Sequence, residues 1–285
     1  MQIQAFFDPA TWTLTYLAWD PDTRDAVIID PVMDFDPVAV EVADHSTQKI
    51  IDVVREKGLK VHLVFDTHAH ADHLSGFQHL KAELGAKIGI GGQIGAVQEV
   101  FKSIFNLEDL ATDGSQWDVL FHDGEVVEAG SLKIEPMHSP GHTPACYAYK
   151  IGDVVFAGDV IFMPDFGTGR CDFPGGSAED LYDSIQRLYA LPDDTRVFVA
   201  HDYQPGGREL KYETTIGQSK VENVHLKAGT TKEEFVAFRT ARDATLKPPR
   251  LIFQSLQVNA NAGKLPEPES NGMRYLRIPM GVFAS

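Results

Sequence analysis

The stretch Thr67-His68-Ala69-His70-Ala71-Asp72-His73 places three histidines and an aspartate within six residues, in a chain with only 11 histidines. Imidazole nitrogens and carboxylate oxygens at this density are the donors of a divalent metal site. Three further groups have matching chemistry: His142 in Ser139-Pro140-Gly141-His142-Thr143-Pro144, Asp159 in Ala157-Gly158-Asp159, and His201 in Val199-Ala200-His201-Asp202. Alone, His142 or His201 reads as a satisfied structural histidine. Beside the cluster, both read as further donors.

A metal needs ligands fixed to a fraction of an ångström, and strand ends provide that rigidity. Each of the four groups follows a predicted strand. Val61 to Phe65 runs into the histidine cluster, Ser131 to Met137 precedes His142, Val154 to Ala157 leads to Asp159, and Arg196 to Ala200 leads to His201. Ala26 to Asp30, Lys87 to Ile90 and Ala145 to Ile151 read as further strands, with Gly152-Asp153 as a hairpin turn. Helices are expected over Ser46 to Lys57 with Ser46 as N-cap and Gly58 past the end, Leu74 to Leu84 closed by Gly85, Ala178 to Leu191, and Glu233 to Leu246. Phe101 to Leu110 reads as a lid or a packed helix, and Arg274 to Pro279 as an edge strand. Strands with interleaved helices, in two similar halves, predict a mixed α/β sandwich.

The composition narrows what such a site could serve. With 25 Lys plus Arg against 41 Asp plus Glu, the net charge is −16, which weighs against a nucleic-acid partner. No apolar run reaches the ~20 residues of a membrane span, and the first twenty residues lack the basic start of a secretory signal. Cys146 and Cys171 therefore read as free thiols in a reducing cytoplasm. Cys171 is also a candidate redox thiol, since the neighbouring Arg170 would lower its pKa. The apolar run 278–284 points to an interface between two copies, a homodimer.

The pattern His-x-His-x-Asp-His, followed by His142, Asp159 and His201, resembles the metallo-β-lactamase superfamily over most of the chain to about residue 205. The resemblance implies one metallo-β-lactamase-like domain over 1–285. It would be an αββα sandwich with the metal at one edge of its two sheets, and residues 206–285 would complete the substrate site. Members build two adjoining positions from His68, His70, His142 and Asp159, and from Asp72, His73, Asp159 and His201. Asp159 stands where lactam-hydrolysing members generally carry Cys, and His70 where flavodiiron members carry Glu. The run Gly169-Arg170-Cys171-Asp172-Phe173, the run Ala200-His201-Asp202-Tyr203, and Asn259 are similar to the persulfide dioxygenase branch.

That branch implies a single Fe(II) held by His68, His142 and Asp159, with zinc as a replacement ion. Two histidines and one carboxylate leave open positions where substrate and dioxygen can bind together. The implied reaction oxidises glutathione persulfide with O2 and water to sulfite and glutathione. His70, Asp72, His73 and His201 would then support those ligands or form a vacant second metal site. Arg170 is the expected clamp for a glutathione carboxylate, or else the partner of Asp172 or Asp165. Tyr203 and Asn259 are expected to bond the peptide groups of the substrate, or else to pack beside the metal and to make a turn. A zinc-dependent glutathione thioester hydrolase of glyoxalase II type would display the same metal ligands. A module that senses sulfur species without turnover is the third reading.

Overall fold

The computed structural model describes residues 1–282. In chain order the first half contains β1 (Gln2–Asp8), β2 (Thr13–Trp19), β3 (Asp25–Ile29), β4 (Val32–Asp36), β5 (Glu41–Ala43), α1 (His45–Lys57), β6 (Lys60–Phe65), β7 (Leu74–Ser75), α2 (Phe77–Leu84), β8 (Lys87–Gly91), α3 (Ile94–Phe105) and β9 (Val119–Phe121). The second half contains β10 (Val127–Ala129), β11 (Leu132–His138), β12 (Tyr147–Ile151), β13 (Val154–Phe156), α4 (Ala178–Tyr189), β14 (Arg196–Phe198), β15 (Glu213–Thr215), α5 (Ile216–Glu222), α6 (Lys232–Asp243) and α7 (Ile252–Asn259).

Two six-stranded sheets form the centre, in the orders β1-β2-β3-β6-β8-β9 and β10-β11-β12-β13-β14-β15. Strand alternation sorts their side chains into layers. Leu17, Ile28, Val64 and Ile88 pack with residues of α1, α2 and α3. Tyr16, Val27, Leu63 and Phe65 meet Tyr149, Phe156 and Phe198 of the other sheet. Ala148, Val155 and Val197 pack with Leu181, Ile185 and Phe235 of α4 and α6. The result is helix on sheet on sheet on helix, the expected αββα sandwich. The inter-sheet layer is aromatic, with Tyr16 set 5.3 Å from Phe156 and 5.4 Å from Phe198, and its hydroxyl donating to the Val199 carbonyl.

Several expected boundaries move, each for a tertiary reason. The helix predicted from Leu74 starts at Phe77, because Leu74 and Ser75 pair with Met33 and Val32. Ser46 is not an N-cap. The helix starts one residue earlier, and the Asp34 carboxylate, reaching over from β4, accepts from the Ser46 N–H at 2.7 Å and its hydroxyl at 2.8 Å. Gly58 does end that helix, in the left-handed conformation at φ 61. Phe101 and Phe105 belong to a packed helix, buried at 5% and 2% exposure. Arg274 to Pro279 forms no strand. The Gln257 side chain meets the Arg277 N–H and C=O at 3.0 and 3.1 Å, occupying the main-chain groups that a neighbouring strand would take. Residues 283–284 of the apolar run lie outside the described residues; Ile278 and Met280 are exposed. Among the described residues, no helix is long and apolar enough to cross a membrane.

Candidate metal centre

The histidine cluster is a loop after β6, pinned from both sides. Asp30, at the end of β3, accepts from the Thr67 N–H at 2.6 Å, the Thr67 hydroxyl at 3.0 Å and His70 Nε2 at 3.0 Å. Asn259, at the end of α7, accepts from the Ser75 N–H at 2.8 Å and donates to the His70 and His73 carbonyls at 2.8 Å. Asn259 is buried at 2% exposure and does not line the cavity. Its amide is fully engaged in holding the loop, so a bond to a substrate peptide is not open to it.

Hydrogen bonds fix which ring nitrogen each histidine offers. The Thr67 hydroxyl donates to Asp30, so it accepts from His68 Nδ1 at 3.1 Å and leaves Nε2 free. The Arg170 carbonyl accepts from His142 Nδ1 at 2.7 Å, freeing that Nε2 as well. His70 donates through Nε2 to Asp30 and so offers Nδ1. Fixing the tautomer from behind is how proteins orient metal-binding imidazoles.

Donor atoms of His68, His142 and Asp159 lie within 4.8 Å of one another, and so do those of His70, Asp72 and His201. Asp159 faces both groups. One of its oxygens is 3.5 Å from His142 Nε2, and the other is 3.4 Å from His201 Nε2. His73 Nδ1 contacts Asp72 at 3.1 Å. Asp30, Asp66 and His70 form a third, deeper group. His70 Nδ1 and Asp159 Oδ1, one from each of the two groups, are buried and have no hydrogen-bond partner among the described residues. Buried polar atoms are almost always satisfied, so these orphans, turned toward two clusters of hard and borderline donors, fit a divalent metal ion.

The electrostatics agree with neutral rings at His68 and His70. Burial, then the neighbouring His70, holds His68 well below the ordinary histidine range. Burial likewise depresses His70, with His73 adding to the effect. At His201 burial acts downward, but Asp159 and Asp72 outweigh it and raise the pKa. Burial is the largest single influence on Asp72 and acts upward, but His73, His201 and His70 together outweigh it and hold its pKa well below the usual carboxylate range, so it is a carboxylate.

The donors open onto a cavity of about 370 Å³ lined by Thr11, Trp12, Phe173, Tyr203, Arg170 and Arg250, among others. That volume lies within the range of small-molecule sites. A second, smaller arm shares Asp159, Arg170 and Tyr203 and reaches Phe166, His225 and Arg242. Tyr203 stacks on His201 at 5.5 Å between ring centres, and its hydroxyl makes no hydrogen bond among the described residues.

Arg170 lines both arms, but its guanidinium is engaged. It forks onto Asp172 with two bonds of 2.6 Å, donates to the Lys247 carbonyl at 2.8 Å and lies over the Phe173 ring. Asp165 belongs instead to Arg208. The guanidinium groups of Arg242 and Arg250, by contrast, make no hydrogen bond or ion pair among the described residues. Cys171 is not an activated thiol. Burial, with Asp243 alongside, pushes its pKa up, and Arg170 is turned away onto Asp172. Burial also raises Cys146, to about 12.

The sequence reading gives no site role to Trp12, Thr13, Asp30 or Arg250. Thr13 donates to the Asp72 carboxylate at 3.0 Å. Asp8-Pro9 was a turn signal that could have located the β1–β2 tip carrying Trp12. Asp30, ending a buried strand just before Pro31, was the legible sign of a carboxylate aimed at the site. Nothing local marked Arg250.

The chain belongs to the metallo-beta-lactamase superfamily, whose profile matches residues 13–201. It is 50% identical over 281 residues to the beta-lactamase hydrolase-like protein of Agrobacterium fabrum, covering 99% of this chain and 65% of that protein. It is 43% identical over 285 residues to glyoxylase B2 of Dictyostelium discoideum, covering 99% and 98%. With the human mitochondrial persulfide dioxygenase ETHE1 it shares 32% identity over 204 residues, covering 70% and 68%. The crystal structure of ETHE1 from Myxococcus xanthus superimposes with a TM-score of 0.75 at 32% identity, covering 93% of this chain and 100% of that one.

Proposed function

We propose that the chain is a glutathione-dependent persulfide dioxygenase working with one Fe(II) held by His68, His142 and Asp159. The observation that carries this reading is that donor set. Two imidazoles have their free nitrogens fixed from behind, and one carboxylate stands at the floor of a cavity with the unengaged Arg250 on its wall. The likeness to the human persulfide dioxygenase and to the Myxococcus structure supports it. The chemistry a ferrous ion supplies in a two-histidine, one-carboxylate set is redox contact between a sulfur anion and dioxygen, which zinc lacks.

The chain's own residues bind and orient the substrate. Trp12, Phe173 and Tyr203 flank the approach to the donors. Arg250 is exposed and unpaired, so it replaces Arg170 as the group free to take a carboxylate of glutathione, while Arg170 holds the wall through Asp172. Tyr203 keeps a free hydroxyl for a substrate peptide group. The two free cysteines support a reducing compartment such as the cytoplasm.

A second reading, a zinc-dependent glutathione thioester hydrolase, is favoured by the second group of His70, Asp72 and His201, which Asp159 joins to the first, and by the likeness to glyoxylase B2. One experiment separates them. Protein loaded anaerobically with Fe(II) is given glutathione persulfide in an oxygen electrode, and zinc-loaded protein is given a glutathione thioester. Oxygen uptake matched by sulfite is the expected result; thioester hydrolysis without oxygen uptake overturns the proposal. Arg250→Ala is expected to raise KM for glutathione persulfide about tenfold, the lower range for a charge-assisted hydrogen bond, with kcat little changed.

A further inference from the structure

The loop that supports His142 is itself gripped by the C-terminal part of the chain. Its main-chain groups are taken one by one. The Gly167 carbonyl accepts from Asn223 Nδ2 at 3.0 Å, and the Thr168 N–H donates to His225 Nδ1 at 3.0 Å. The Thr168 carbonyl accepts from Arg239 Nη1 at 3.2 Å, and the Cys171 N–H donates to Asp243 Oδ2 at 2.8 Å. Burial, with Arg239 and Arg242 nearby, pushes His225 down to about 4, which keeps its ring neutral and able to accept.

Arg239 and Asp243 stand one turn apart on α6 and pair at 2.6 Å, with side chains 2% and 6% exposed. A buried ion pair adds little to stability compared with apolar residues of the same size. Arg239 spends its remaining bonds on Thr168 and on His225, which itself accepts from Thr168, and Asp243 spends its second oxygen on Cys171. Between those residues the loop touches the donor set twice. The Arg170 carbonyl holds His142 Nδ1 at 2.7 Å, and Gly169 lies so close to the Asp159 carbonyl that a Cβ there would sit 2.0 Å from its oxygen.

We propose that Arg239 and Asp243 are positioning residues for the metal site. Their pair fixes 168–171 so that the Arg170 carbonyl turns His142 Nε2 toward His68 and Asp159. The inference concerns the donor set itself, whichever reaction that set serves.

The test is a double variant, Arg239→Met with Asp243→Val, which removes both charges and both sets of hydrogen-bonding groups and stays near the parent volume. Co(II) affinity is measured by chelator competition, the Co(II) visible spectrum reports the ligand geometry, and thermal unfolding of the metal-free protein reports the fold. The expected result is a protein that still folds, with a lowered Tm because the Thr168 carbonyl and the Cys171 N–H lose their partners, Co(II) binding weakened about 10- to 100-fold, the usual effect of losing a group that orients a ligand, and an altered spectrum. A folded double variant that binds Co(II) within twofold of the parent, with the same spectrum, overturns the proposal. If the double variant does not fold, Arg239→Lys decides. It keeps the charge opposite Asp243 but cannot fork to Thr168, and several-fold weaker Co(II) binding is expected. Unchanged binding there overturns the proposal equally.

Discussion

The two donor groups are built differently although they share Asp159. In the first, His68 and His142 are held from behind by a hydroxyl and a backbone carbonyl, so their offered nitrogens are set before any ligand arrives. In the second, Asp72 takes a hydrogen bond from the Thr13 hydroxyl, contacts His73 at 3.1 Å and lies 3.7 Å from His201. Its side chain is 26% exposed, against 11% for Asp159. The first group is directed outward and the second is partly spent on itself. Preorganised donors lose less on binding than donors that must first break their own contacts, which supports the proposed single ion in the first group.

The strongest way to break this comparison is to remove one donor from each group. Asp159→Ala takes away the only carboxylate of the first set and is expected to abolish stoichiometric metal, read by elemental analysis. His201→Ala is expected to keep one metal per chain. Equal loss in both variants would mean that the groups fill as a dinuclear unit.

A smaller effect is expected behind the loop. Asn259→Ala deletes three buried hydrogen bonds, leaving the Ser75 N–H and the His70 and His73 carbonyls unpaired. A cost of about 2–3 kcal/mol follows from stranding such groups, measured by denaturant unfolding of the metal-free protein. An unchanged midpoint would show that the loop holds its shape without α7.

The smallest effect concerns Asp66, beneath the second group. Burial, reinforced by Asp30, raises its pKa well above the usual carboxylate range. The folded chain therefore keeps a proton that the unfolded chain releases above about pH 4, and stability falls as pH rises from there toward the folded pKa. Asp66→Asn removes that dependence. Its metal-free Tm is expected to gain on the parent between pH 5 and pH 8 and to converge with it near pH 4. Parallel pH curves would show that Asp66 is ionised in the fold.

The histidine loop was legible because its donors are contiguous, and the strand ends carrying His142, Asp159 and His201 were legible because apolar runs stop at polar residues there. The C-terminal part was not. Residues 252–259 carry no strong periodic signal that announces α7, and the sequence leaves Asn259 a substrate contact or a turn residue, whereas its partners lie 184 to 189 positions away in the chain. Arg170 lines the cavity, but its neighbours Asp172 and Lys247 decide what its guanidinium can still do.

By itself, then, the sequence determined the kind of chemistry and the layered α/β architecture. Residue type sets which atoms can bind a metal, and the period of the apolar pattern sets which elements form. Only the tertiary structure decided which nitrogen each histidine offers, which arginine is free, and which cysteine is inert. Those properties depend on partners brought within hydrogen-bond distance by packing, and no local pattern in the chain encodes them.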